Sequence, residues 1–200
     1  VMSASPTRTL GADDGRDPRI DSASKSGLVD ADLTTVSDIR LLHTLAKKPA
    51  TAGNPRIKPI IFKGKKYYLL ILGSESMYDL KEDSEYNQIL RDAWWRGEKN
   101  PIFSDASVVI DGVIIHEFEG IQSFDDGGGA TVHGELNLFV GAQGAVFLEG
   151  GGTDWHEEMV DRGRQLSIGG TLIYEIAKTK FNGIDQAVIA YYAATTDLSV

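Results

Sequence analysis

Apolar and polar residues recur along this chain with two different periods, and the switches between them mark its elements. Between Asp30 and Lys48, Val36, Ile39, Leu42, Leu45 and Ala46 fall on one helical face, while Ser37, Arg40 and Thr44 fall on the opposite one. This spacing predicts an amphipathic helix. Asp32 or Thr34 is placed to cap its first turn, Lys47 and Lys48 suit its C-terminal dipole, and Pro49 stops it. Ile57 to Phe62 and Lys66 to Leu72 are β-prone runs around Lys63-Gly64-Lys65, the pattern of a hairpin. The second run is apolar at successive positions from Tyr67 to Leu72, which predicts a central strand buried on both faces. Gly73-Ser74 opens a short helix through Leu80 with Ser74 as N-cap, and Ser84 to Arg96 carries Tyr86, Ile89, Leu90, Ala93 and Trp94 at helical spacing.

Strands dominate the second half of the chain. Val108 to Ile110 and Val113 to Ile115 flank Asp111-Gly112, a two-residue hairpin signal. Asp125 to Ala130 predicts a loop, and Leu136 to Val140 and Ala145 to Glu149 predict strands separated by Gly141 to Gly144. Gly150 to Gly152 closes that block, Trp155 to Arg164 is polar and predicts one irregular helix, and Leu172 to Lys180 pairs with Ala187 to Tyr192 across Asn182-Gly183. At the other end, Val1 to Val29 scatters single apolar residues among Ser, Asp, Arg and Gly, the composition of an extended arm or linker. Met2 stands behind Val1, which points to a chain trimmed from a longer precursor.

Composition narrows the classes. With 200 residues, 42% of them hydrophobic, the chain can bury a core. Its 20 Lys and Arg against 29 Asp and Glu give a net charge of −9, which disfavours wrapping nucleic acid or sitting on an anionic membrane. The absence of cysteine excludes disulfide frameworks, thiol nucleophiles and cysteine metal sites. The apolar runs fall far short of the roughly 18 to 20 residues of a membrane span, and the first residues lack the apolar core of a signal peptide, so a soluble chain is expected.

The densest group of candidate metal ligands is Asp154, His156, Glu157, Glu158 and Asp161. His156-Glu157 begins like H-E-x-x-H, but Val160 occupies the place of the second histidine, so the pair that grips zinc is missing. A carboxylate site for magnesium or calcium stands beside the plainer reading of a solvated or interfacial surface. His116 near Glu117 and Glu119 offers a general base or simply a strand end. Gly64-Lys65 lacks the earlier glycine and the Ser or Thr of a phosphate loop, Gly141 to Gly144 lacks dinucleotide spacing, and no G-x-S-x-G occurs. Nothing in the pattern announces an enzyme. Two features suit contacts between subunits. Trp94-Trp95-Arg96 directs Trp94 to the core and leaves Trp95 and Arg96 for a neighbour or for local packing. Lys63, Lys65 and Lys66 make a basic tip fit for an acidic surface on a partner subunit.

With its N-P-I-F, D-G-V and I-H-E run, the passage Asn100 to Ile121, together with several other blocks, resembles the tailed-phage major capsid proteins of the coliphage N-four type, distant members of the Hong Kong 97 capsid fold. SKSGLVDADLTTVSDIRLLHTLAKK (Ser24 to Lys48) is similar to the family's segment leading into and forming a helix, and KPIIFKGKKYYLLILGSESMYDLKED (Lys58 to Asp83) to its hairpin, buried strand and following helix. NPIFSDASVVIDGVIIHEFEGI (Asn100 to Ile121) is the most specific match, although Asp105 stands where the family tends to have Gly. GAQGAVFLEGGG (Gly141 to Gly152), DWHEEMVDRGRQLSIGG (Asp154 to Gly170) and IAKTKFNGIDQAVIAYYAA (Ile176 to Ala194) resemble its closing portion. The family also carries an N-terminal arm and a long hairpin, the E-loop, ahead of this region. Neither is found in Val1 to Ala23, so a trimmed portion or a variant lacking them is expected.

The resemblance implies an α+β, Hong Kong 97-like phage capsid fold with a peripheral domain, made of a spine helix and a β-sheet, and an inserted axial domain. Residues 1–29 map to an arm or linker, 30–57 and 150–200 to the peripheral domain and 58–149 to the axial domain. It implies a coat subunit, not an enzyme, without cofactor or metal. Such a subunit joins copies of itself in pentamers and hexamers of an icosahedral virion head assembled in the bacterial cytoplasm. Portal, scaffold or decoration proteins are its other implied partners, packaged double-stranded DNA is touched weakly, and no membrane is involved. The rival readings are a head-decoration or adaptor protein and a small metal-dependent hydrolase using the 154–161 cluster.

Overall fold

The computed structural model describes residues 9–11, 28–48, 56–94, 107–128, 131–181 and 184–197. The periodicity ahead of Pro49 becomes α1 (Val36–Lys47), which buries Val36, Ile39, Leu42 and Ala46. Its cap is Thr35, one residue beyond the expected candidates, because Asp38 three positions on completes a capping box. The Thr35 backbone N–H and hydroxyl donate to Asp38 Oδ2 at 3.0 and 2.8 Å. Two further helices, α2 (Ser74–Glu82) and α3 (Ser84–Trp94), follow each other directly. Asp83 between them accepts from the N–H groups of Val36 and Glu85, both at 3.0 Å. One carboxylate thus serves the positive ends of α1 and α3.

The strands are β1 (Thr9–Gly11), β2 (Ile60–Phe62), β3 (Lys65–Leu72), β4 (Ser107–Ile110), β5 (Val113–Glu117), β6 (Ser123–Gly127) and β7 (Val132–Val140), then β8 (Ala145–Val160), β9 (Gln165–Lys178), β10 (Lys180–Phe181), β11 (Ile184–Asp185) and β12 (Val188–Ala194). One sheet runs in the order β1-β12-β7-β3-β5-β4, with β2 added to β3 and β6 to β7. Only β3 with β5 and β1 with β12 are parallel within it. Both short hairpins form as expected. Lys63 and Gly64 (φ 48° and 77°) and Asp111 and Gly112 (φ 48° and 84°) turn with positive φ at both central positions, the twist that matches paired strands.

The inner faces of α1, α2 and α3 share one core with Tyr68, Leu70, Leu72, Ile115, Phe139, Ile189 and Tyr191 of the sheet. Tyr68 stacks on Phe139 with centroids 5.3 Å apart. A smaller cluster gathers Leu28, Phe124, Val132 and Ala194. Strand β3 is central, but only Tyr68, Leu70 and Leu72 are fully buried, and Leu69 and Ile71 on its other face are half-buried. The helices cover one side of the sheet, so the expected burial on both faces holds for one.

Several expectations change. Gly73, not Ser74, caps α2. Asp125 to Gly127 is strand, held by pairing to β7. The region expected as an irregular helix is strand to Val160 and a turn at 161–164. Strand β9 pairs with β8 rather than with β12, whose neighbours are β7 and β1, and β10 pairs with β11; Asn182-Gly183 lies outside the described residues. Within the expected arm, Thr9 to Gly11 is a strand of the sheet and Leu28 is buried. Helix α1 and strands β3 and β12 contribute side chains to one core.

Strand β7 fixes α2 by polar contacts. Asn137 Oδ1 accepts from Gly73 N–H at 2.9 Å, Glu135 Oε2 accepts from Ser76 N–H at 2.9 Å, and Asn137 Nδ2 donates to Ser76 Oγ at 2.9 Å. Glu135 and Asn137 are buried, and a Cβ at position 73 would collide with the Glu135 carboxylate. Glu135→Ala should cost about 1–3 kcal/mol by stranding a buried N–H. Gly73→Ala should destabilise wild type but much less the Glu135→Ala background, a non-additivity read from a double-mutant cycle in urea. Additive effects would contradict the contact.

Candidate assembly surface

The longest element among the described residues lies outside the core. Strands β8 and β9 form a separate two-stranded antiparallel sheet, and every residue of β8 and all but the last two of β9 are exposed. At 3.2–3.4 Å per residue the ribbon extends roughly 50 Å. Its tip turns at Asp161, Arg162 and Gly163, all with positive φ. The pairing shifts register around Gly150 to Gly152, so the glycines expected to end the strand instead form irregular steps within it.

Beyond those steps the ribbon has two unlike faces. Trp155, paired with Gly170, lies on the same face as Met159, paired with Leu166, and Ile168, paired with Glu157. Asp154 with Thr171, His156 with Gly169 and Glu158 with Ser167 form the other face. Trp155, Met159, Leu166 and Ile168 are 62%, 68%, 52% and 53% exposed. Nearer the base, Phe147 stacks on Tyr174 with centroids 5.8 Å apart, and both rings are exposed.

This geometry separates the sequence's candidate ligand cluster. Asp154, His156 and Glu158 alternate along one face, Glu157 points from the other and Asp161 sits in the turn. An extended strand spreads such side chains, so they do not converge as they would on a helix. Among the described residues, the group whose donor atoms do converge is Glu75, His133 and Asp197.

The ribbon leaves the sheet after β7 and returns before β12, which are neighbours. At its root Lys178 Nζ lies 3.1 and 3.2 Å from the two carboxylate oxygens of Asp185, and both side chains are buried. Lys178→Met should cost about 3–5 kcal/mol by removing the cation that faces a buried carboxylate. The Lys178→Met/Asp185→Asn pair should recover much of that, as measured by chemical denaturation.

The basic tip is where the sequence placed it. Lys63, Lys65 and Lys66 are exposed at the β2–β3 turn, beside Ile61 and Phe62, with Lys63 Nζ 5.4 Å from the Phe62 ring centroid. Trp95 and Arg96 lie outside the described residues, as does the side chain of Trp94. His116 is exposed at the end of β5.

His133 carries no motif that singles it out in the sequence. Its Nδ1 lies 2.5 Å from Asp125 Oδ1 and its Nε2 lies 2.7 Å from Glu75 Oε2. The bond to Asp125, helped by Glu75, raises its pKa, whereas burial and then nearby Lys47 lower that of His43. In metal-free buffer, NMR titration should therefore place the His133 midpoint above the ordinary imidazole value of about 6.5 and the His43 midpoint below it. The reverse order would contradict the geometry. The alternation His133, Glu135, Asn137 is the available signal, a polar stripe inside a strand; partners as distant as Glu75 and Asp197 carry none.

Comparison with known proteins gives these features a context. Residues 12–199 match the family described as phage capsid protein. The "Major capsid protein" of Pseudomonas phage KPP25 is 31% identical over 145 residues, covering 66% of this chain and 39% of that protein. The capsid of Ralstonia phage GP4 superposes with a TM-score of 0.69 at 25% identity over 97% of this chain and 54% of the other. The Cyanophage Pam1 capsid chain superposes with a TM-score of 0.72 at 21% identity, over 97% and 56%. The chain therefore spans well under two thirds of the length of these relatives.

Proposed function

The chain belongs to the phage capsid protein family, and from that premise we propose that it is a coat subunit that joins copies of itself into the icosahedral head of a tailed phage around double-stranded DNA. The fold is α+β of the Hong Kong 97 type. We assign it within that type to the coliphage N-four group on the blocks around Asn100 to Ile121. Its role is structural, located in the virion and built in the bacterial cytoplasm, with no catalytic residue.

The observation that carries this reading is the exposed ribbon β8–β9. A two-stranded hairpin alone is marginal in water, and contiguous exposed apolar surface of this kind marks a protein interface. The face of Trp155, Met159, Leu166 and Ile168 is suited to lie on a neighbouring copy, with the polar face of Asp154, His156 and Glu158 turned away. The ribbon has the form of the lattice-making hairpin that the family resemblance calls for, although it follows β7 rather than preceding α1. Residues 30–57 and 150–200, with α1 and most of the ribbon, are assigned to the peripheral domain and 58–149 to the axial domain. Lys63, Lys65 and Lys66 supply a complementary charged contact on an acidic subunit. The net charge of −9 keeps a DNA container from gripping its contents. Portal, scaffold and decoration proteins are the other partners such a shell would use.

Light scattering coupled to size exclusion, followed by negative-stain electron microscopy, tests the reading. The purified protein should yield pentamers, hexamers or shells. The Trp155→Ser/Ile168→Asp variant should stay monomeric with an unchanged thermal melt, because both side chains are exposed in the monomer. A strict monomer across salt and concentration overturns the coat reading, and one that binds preformed heads would be a decoration protein.

A further inference from the structure

The ribbon is not the chain's only unassigned surface. Where α2, the start of β7 and the segment after β12 meet, Glu75, His133 and Asp197 each present a ligand atom within 4.8 Å of the others. We infer that these three residues bind one transition-metal cation of the zinc class. The site lies on the body of the chain rather than on the ribbon, so the inference stands apart from the assembly reading.

Three features point to a metal rather than to a chance meeting of polar groups. The first is the donor set. One imidazole and two carboxylates, with a fourth position left for water, are the ligand types and number of an open zinc site. The second is the outer shell. Asp125 Oδ1 sits 2.5 Å from His133 Nδ1, which aims Nε2 at Glu75 and Asp197. A carboxylate behind a histidine in this way fixes the ring and raises its basicity toward a metal. Thr195 Oγ1 likewise donates to Glu75 Oε2 at 3.0 Å and orients that carboxylate.

The third is the way the chain delivers its last ligand. Thr195 N–H donates to the His133 carbonyl at 3.1 Å, and Thr196 donates to Asp79 through its N–H at 3.2 Å and its hydroxyl at 2.8 Å. These bonds hold the residue before Asp197 against α2 and β7. The metal would therefore join elements already in place.

The ligand atoms start near, but not at, zinc-binding separations. His133 Nε2 and Glu75 Oε2 are 2.7 Å apart, whereas two ligands each about 2.0–2.1 Å from a tetrahedral zinc stand roughly 3.3 Å apart. Glu75 therefore has to open slightly from His133, while Asp197, within 4.8 Å of both, is exposed at the side from which the ion can enter from solvent. An imidazole in the set favours zinc over calcium and magnesium, which prefer oxygen alone.

Calorimetric titration of the chelator-stripped protein with zinc chloride tests the inference, with calcium and magnesium chloride as comparison probes. One equivalent of zinc should bind at least about tenfold more tightly than calcium. Asp197→Asn, at an exposed position, should weaken zinc by about tenfold or more while the protein still melts cooperatively. Asp125→Asn, which removes the outer carboxylate and no ligand, should weaken it by about 10–100-fold. His156→Ala on the ribbon should leave it unchanged. Absence of saturable zinc binding overturns the inference. So does wild-type affinity in Asp197→Asn and Asp125→Asn, or loss of binding in His156→Ala.

Discussion

The register of β7 against α2 is the constraint on which the rest of the body depends. His133, Glu135, Asn137 and Phe139 lie on one face of that strand, and in order they meet Glu75, the Ser76 N–H, the Gly73 N–H with Ser76 Oγ, and the apolar core. A one-residue slip would carry all four to the opposite face. It would strand buried donors that cost about 1–3 kcal/mol each, against a total stability of about 5–15 kcal/mol for a typical domain. Because β7 also pairs with β3, β6 and β12, its register fixes theirs. The helix is thus seated by a few directional contacts, and the apolar residues of α1 and α3 close over a sheet whose alignment is already set.

The ribbon obeys the opposite logic. No described element covers its residues, and the side chains that give it an apolar face are those that water disfavours. Its internal pairing comes from a tight turn at 161–164 and from cross-strand contacts such as Phe147 with Tyr174. The glycines at 150–152 interrupt that pairing and remove side chains that would stiffen it. An element with these properties has a defined shape but little stability of its own, which suits a segment completed by contact with another surface.

Legibility in the sequence divides along the same line. Local chemistry is readable: Lys63-Gly64 and Asp111-Gly112 demand positive φ and yield their hairpins, and the face of Val36, Ile39, Leu42 and Ala46 yields α1. The basic tip comes with the first of those hairpins. Long-range pairing is not readable. Ile173 to Ile176 have the same β-prone character whether they join β12 or β8, and only the closed sheet, in which β12 already has two neighbours, decides between them. The glycines at 150–152 and the acidic run after Trp155 disguise a continuous strand as a loop and a helix. His133 escapes notice because, apart from Asp125, the groups around it lie 58 residues before it and, at Asp197, well after it. Only the fold makes them neighbours.

The topology also explains how one chain can carry both a packed body and an outlying ribbon. The ribbon is inserted between β7 and β12, strands that are directly paired, so its two ends emerge side by side and its orientation is decoupled from the register of the sheet. A small group of contacts at the root sets that orientation: Gly141 N–H to the Ala187 carbonyl at 2.9 Å, Gln186 N–H to the Thr179 carbonyl at 3.1 Å, and the buried pair of Lys178 and Asp185. A buried ion pair contributes little net stability compared with apolar residues of the same volume, but it tolerates few alternative geometries. Its value at this position is therefore directional. It aims a long, weakly stabilised arm from a body whose own packing does not depend on where the arm points. Changes at the root can therefore redirect the arm without disturbing the core that α1, β3 and β12 share.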